Sequence, residues 1–340
     1  MQMEHNLSTS SSNKVRLIVS VKIAAFTALL LILVLFLETL LQSGGSVIER
    51  KRKIDSIEAN SVDVMFIGNS HAYCTFDPAV IEPIIGKRVF NAGLPDQKID
   101  MVYYTLRDML KRQNPETIIL EAYAFGRSDS SYEGYVANID AMRPGIRKVM
   151  ACFEIFPDKL EALKMSIGLF RCHNNWKKTD IMEANLRNLS GRAKVDVSNF
   201  NGFFALDSKM SEETIEKYKE KTDIKFVPEV NAYSIRFFKR IVRICKESNI
   251  RLIVTAAPFN DIYAANVHYE NFYEQIMGLC DEEGVSYVDF NMLYDEIGLE
   301  YDDFEDACHH AQHLNKWGAE KVSKYMAEYL RDSMEFTKQP

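Results

Sequence analysis

Three short blocks carry residues whose types and spacing suit one kind of chemistry. The first is Asp63-Val-Met-Phe-Ile-Gly-Asn-Ser70-His-Ala-Tyr, an apolar run that ends in glycine and turns into a serine. A serine hydroxyl attacks a carbonyl only when a base within hydrogen-bond reach takes its proton. The second block offers such bases: His309-His310-Ala-Gln-His313-Leu-Asn315-Lys-Trp-Gly318-Ala places three of the seven histidines within five positions. The third, Val89-Phe-Asn91-Ala-Gly93-Leu, ends a β-type run in a glycine whose backbone N–H can donate to an oxyanion.

Each block has a competing reading. A serine after a strand can simply cap the next helix, and Gly93 can be a plain turn residue. His309 and His313 are four apart, so on a helix they share a face, and Asp302, Asp303, Glu305 and Asp306 lie close by. That spacing suits a metal, although the Glu that follows the first His in zinc proteases is missing. His71, adjacent to Ser70, should point away from it and is read as structural or substrate-facing. Cys74 and Cys308 flank two of the blocks and could approach each other, but nothing in the sequence makes them a disulfide.

The elements that must position these blocks follow from periodicity. Val62 to Ile67, Arg88 to Asn91, Thr117 to Glu121, Arg251 to Ala256 and Ser286 to Phe290 read as strands. Pro78 to Ile85, Asp100 to Arg112, Ala232 to Ser248, Val267 to Glu283 and Leu314 to Met334 read as helices, the last capped by Asn315 or the residue before it. Such alternation implies βαβ units and a parallel α/β sheet with helices on both faces. In an open parallel sheet ligands bind beyond the carboxyl ends of the strands, which is where Ser70 falls. Between the third and fourth strands, from about 125 to 228, the chain is too long for one loop. It reads as a helical insertion over the sheet's C-terminal edge, with helices around Lys159 to Phe170, Asp180 to Leu189 and Glu212 to Lys221.

The 340 residues, 47% hydrophobic and 26% charged, are ordinary for a globular protein. The net charge of −7 argues against nucleic acid as a partner. Six scattered cysteines form no CxxC pair and leave the compartment open. No cofactor motif is present.

Residues 1–14 are polar and read as disordered. Residues 15–42 form an apolar stretch that can cross a membrane if Lys22 snorkels and Glu38 sits at the far head groups. A buried core helix or a cleaved signal peptide are the alternatives, and no clear small-x-small cleavage site supports the second. Residues 43–60 read as a juxtamembrane helix or linker whose basic cluster, Arg50 to Lys53, touches lipid head groups. Basic residues flank the span almost equally, so charge does not fix its orientation. The remaining 61–335 form the α/β domain with its insertion.

Together the three blocks resemble the SGNH/GDSL hydrolase superfamily, in chain order, over about Asp63 to Leu330 outside the insertion. The resemblance implies a flavodoxin-like three-layer sandwich with a five-stranded parallel sheet in the order 2-1-3-4-5. It implies Ser70 as nucleophile, Gly93 as an oxyanion donor and His313 as base. Two positions depart from the pattern. The family's Gly-x-Asn-Asp block is replaced by Leu120-Glu121-Ala122-Tyr123, with no Asn. The Asp usually found three residues before the catalytic His is replaced by His310. Asp306 lies three residues before His309, which makes Asp306 a candidate orienting carboxylate, with Asp303 beside it, and His309 or His310 alternative bases. Anchored members act in D-alanylation of teichoic acids or O-acetylation of polysaccharides, often beside a multi-spanning acyltransferase. The resemblance therefore implies an extracytoplasmic domain acting on acylated glycans or other esters, as esterase or acyltransferase. A catalytically inactive scaffold in a cell-envelope complex is the non-enzymatic alternative.

Overall fold

The computed structural model describes residues 2–42, 45–126, 132–190, 197–219, 230–267, 269–306 and 312–336. The chain begins with α1 (Gln2–Leu41) and α2 (Ser46–Ser56). Next come β1 (Val64–Ile67), α3 (Ser70–Thr75), α4 (Pro78–Ile85), β2 (Val89–Asn91), α5 (Ile99–Met109) and β3 (Thr117–Glu121). The insertion supplies α6 (Tyr132–Ala141), α7 (Ile146–Ile155), α8 (Lys159–Ser166), α9 (Leu169–Cys172), α10 (Thr179–Leu189) and α11 (Glu212–Lys219). It is followed by α12 (Ala232–Glu247), β4 (Arg251–Ala256), α13 (Asp261–Asn266), α14 (Tyr269–Glu283), β5 (Ser286–Asp289), α15 (Tyr294–Ile297) and α16 (Lys316–Phe336).

All five strands pair in parallel in the order β2-β1-β3-β4-β5. This is the expected topology, and each strand lies within two residues of its expected bounds. Strands β1, β2 and β3 are buried along their whole length, so their apolar residues run consecutively rather than alternating with polar ones. Val64 and Phe66 of β1 join Ile119, Ile253, Val322 and Met326 in one core cluster. Met65 and Ile67, buried as well, project from the other side of the pleat.

Helix boundaries have local causes. Asp77 caps α4 through Ala79 N–H with Pro78 in its first turn, and Gly86 ends it in the left-handed conformation. Asn231 and Ser234 form a capping box at the start of α12. Asn315 Oδ1 accepts from the N–H groups of Trp317 and Gly318, capping α16 as expected.

The chain divides into two compact units. One comprises Gly45–Ala141 with Val195–Pro340 and holds the sheet. The other joins residues up to Gly44 with Met142–Lys194, so α7 to α10 of the insertion group with α1. Within α1, the 28 residues Lys14–Leu41 are long and apolar enough to cross a membrane, which supports a single-pass anchor. The far end of that span differs from the expectation. Glu38 is buried, its Oε1 held by Lys148 Nζ at 2.8 Å and by Gly168 N–H at 3.1 Å. A carboxylate inside an apolar environment needs such partners, and two residues more than a hundred positions away supply them.

Candidate active site

Ser70 sits where β1 ends. Gly68 has φ +147°, and a Cβ there would lie 2.7 Å from Glu121 Cβ, so only glycine lets the chain turn against β3. Asn69 caps the following helix, its Oδ1 accepting from His71 N–H at 2.9 Å. The capping role belongs to Asn69, and the partly buried Ser70 is the first residue of α3. Its hydroxyl makes no hydrogen bond to another described residue.

The second block buttresses the first. Ala92 and Leu94 N–H donate to Phe66 and Gly68 carbonyls, while Asn91 Nδ2 donates to Ala72 and Phe76 carbonyls at 2.8 and 2.9 Å. The buried Asn91 thus pins both ends of α3 to the end of β2. The N–H of Gly93 is directed at Asn91 Oδ1 at 3.2 Å.

Helix α16 brings in the third block. Ser323 Oγ donates to Thr75 carbonyl and accepts from Asp77 N–H, tying α16 to the end of α3. Its approach to the loop before it requires Gly318, where a Cβ would run into the Asp303 carbonyl. His313, just ahead of α16, then lies against the Ser70 block: its imidazole stacks on that of His71 with centroids 4.5 Å apart and planes 11° from parallel. The structure therefore gathers Ser70, His71 and His313 at one sheet edge, with Gly93 on the adjoining loop.

His71 reads as structural or substrate-facing, and its surroundings are those of a packed residue. It is buried, packs against Tyr123 and Phe259 as well as His313, and its Nδ1 finds no hydrogen-bond partner among the described residues. Burial, then the charges of His313 and Lys98, hold its pKa well below 6.5. One buried carboxyl was passed over. Glu121 ends β3, accepts from Tyr123 N–H, and is pushed up to about 8 chiefly by burial.

The acidic candidates separate. Asp306 Oδ1 accepts from Ser211 Oγ at 3.3 Å, and the Thr214 and Ser211 hydroxyls lower its pKa. Asp303 is paired with Lys321 at 2.7 Å. Glu305 was counted only as a neighbour, but an isolated antiparallel bridge joins Phe304 to Leu314. Glu305 N–H donates to His313 carbonyl at 3.1 Å. Opposed residues of such a pair project to the same face. Phe304 and Leu314 enter the core, so Glu305, fully buried, and His313 share the other face. His309, His310 and Cys308 lie outside the described residues. The metal alternative gains nothing: among the described residues no three His, Cys, Asp or Glu side chains converge on a common point.

Helix α2 also departs from its expected role. Arg50 Nε donates to Gly93 carbonyl at 2.6 Å, its Nη2 donates to Gly202 carbonyl, and its guanidinium lies 4.1 Å over the Tyr73 ring. Burial lowers its pKa to about 10. Lys51 is buried and paired with Asp55. Half of the basic cluster thus faces protein, not head groups.

No protein-family model and no curated protein sequence matches the chain. Two solved structures overlap it loosely. One is an acetyl xylan esterase, 13% identical with a TM-score of 0.36, covering 79% of this chain and 98% of that one. The other is a candidate acylhydrolase from Bacteroides fragilis NCTC 9343, 10% identical with a TM-score of 0.37, covering 85% of this chain and 95% of that one. Overlaps this loose do not bear on what the chain does.

Proposed function

We propose that this chain is a membrane-anchored serine esterase or acyltransferase of SGNH type. Its substrates are acyl esters, in our reading O-acetyl or similar groups on cell-envelope glycans, met by a domain outside the cytoplasm. A multi-spanning acyltransferase is the partner such a chemistry would use as acyl donor. The observation that carries the reading is the His71–His313 stack beside Ser70 at the carboxyl end of β1.

In this mechanism His313 accepts the Ser70 hydroxyl proton as Oγ bonds to the ester carbonyl carbon. The oxyanion is met by backbone N–H groups at the start of α3 and by Gly93, whose N–H exchanges its long bond to Asn91 for the new charge. Collapse expels the alcohol, which takes the proton from His313, and leaves an acyl-serine. Water or a sugar hydroxyl then repeats the sequence in reverse. Glu305 supplies the carboxylate opposite the base, the part first assigned to Asp306.

A fluorophosphonate probe tests the reading on the full chain. It labels the wild type and fails on Ser70→Ala. Absence of labelling in the wild type would overturn the reading and favour a scaffold without catalysis.

A further inference from the structure

Helix α7 is built inside out for a helix in water. Ile146, Met150 and Phe153, at helical spacing, are 72%, 58% and 45% exposed, while Lys148 on the opposite side is 1% exposed. Leu160, Phe170 and Trp176 in the helices that follow are exposed as well. Exposed apolar residues scattered singly are ordinary, but a run of large ones across consecutive helices marks an interaction surface.

Two further observations say what covers it. The first is continuity with the span. Besides the Glu38–Lys148 pair, Asn175 Nδ2 donates to Leu41 carbonyl at 2.9 Å, and Asn185 Nδ2 donates to Leu40 and Gln42 carbonyls at 3.0 and 2.8 Å. Those are carbonyls a helix end leaves without intrahelical partners. The helices from α7 to α10 are therefore fastened to the last turn of α1, where a membrane-spanning helix leaves the hydrocarbon. The second is charge. Met142–Lys194 carries eleven Lys and Arg against five Asp and Glu, a net of +6 in a chain of net −7. Basic residues interleaved with an outward apolar face suit the boundary between anionic head groups and acyl chains.

We infer that α7 to α10 form an interfacial platform that lies in the membrane surface beside α1, immersing Ile146, Met150, Phe153 and Trp176 among lipids. The anchor is then a span plus a raft of short helices, and the task of α7 to α10 is lodging in lipid, not shaping substrate. This rests on α1 crossing the membrane and is independent of the catalytic reading.

Tryptophan fluorescence tests it, because the chain has only two tryptophans, Trp176 and Trp317. The full chain bearing Trp317→Phe is reconstituted at high lipid excess in vesicles of phosphatidylcholine and phosphatidylglycerol, with or without bromine on the upper acyl carbons. Brominated lipid should lower Trp176 emission about two-fold or more, with aqueous iodide having little effect, as for a ring seated at the acyl boundary. A second probe, Phe153→Trp with both native tryptophans replaced by Phe, should behave alike. Quenching of both probes by iodide and not by brominated lipid overturns the inference. So does protection from both quenchers that disappears on dilution in lipid, which would assign the face to a second copy of the chain.

Discussion

The imidazoles of His71 and His313 lie face to face, 4.5 Å between centroids. The buried His71 is kept neutral, first by burial and then by the charge of its stacked neighbour. Replacing His313 with Ala should lower kcat by about 10²–10⁴-fold, the usual contribution of a general base. His71→Phe preserves an aromatic face for the stack and should retain activity within about ten-fold. The same variant reports on pH. Below about 6.5 the unfolded chain protonates residue 71 and the folded chain does not, so acidification favours unfolding until the folded pKa is reached. Melting curves of the full chain in detergent between pH 7 and 5 should fall less steeply for His71→Phe than for the wild type. Parallel curves would exclude a buried neutral His71.

Glu121 should give the opposite slope. Its folded pKa is about 8 against an ordinary 4.5, so its contribution is complete below 4.5 and is lost as pH rises towards 8. Glu121→Gln, which cannot ionise, should remove that loss and melt above the wild type at pH 8.5, each kcal/mol being about 2–4 °C for a domain of this size. Equal melting temperatures at pH 8.5 would mean that the carboxyl titrates at its ordinary value in the folded protein.

The carboxylate opposite the base can be identified by comparing neighbours. Glu305→Gln should reduce kcat by about 10²-fold or more with little change in KM, since an orienting group acts in the transition state. Asp306→Asn should leave kcat within about three-fold, because Asp306 is already engaged by Ser211 and Thr214. A reversal of the two effects would return the role to Asp306.

Arg50 holds the carbonyl of the residue whose N–H is assigned to the oxyanion. Arg50→Ala should lower kcat about ten-fold while KM is nearly unchanged. Arg50→Lys should recover little of it, since an ammonium cannot fork between Gly93 and Gly202 carbonyls. A change confined to KM would place Arg50 in substrate binding.

The strands and the helix caps beside the candidate site are set locally, and the strands were legible for that reason. A buried parallel strand is a short apolar run bounded by turn residues, and Asn69 and Asn315 cap helices within three positions of themselves. What escaped the reading is set by pairing at a distance. Glu305 meets His313 through an antiparallel bridge that no fixed spacing from the histidine announces. Arg50 and Lys51 look like a solvated charge run until Tyr73, Gly93 and Gly202 are folded onto them. Glu38 reads as a head-group residue because Lys148, which neutralises it, lies in the insertion.

The position of Arg50 bears on how a soluble form of the protein should be cut. Trimming to residue 61, where the α/β pattern begins, discards the strut beneath the Gly93 loop along with the anchor. A chain begun at Gly45 loses the hydrophobic span and keeps the strut, so the two truncations should differ in turnover although both retain every residue of the three blocks.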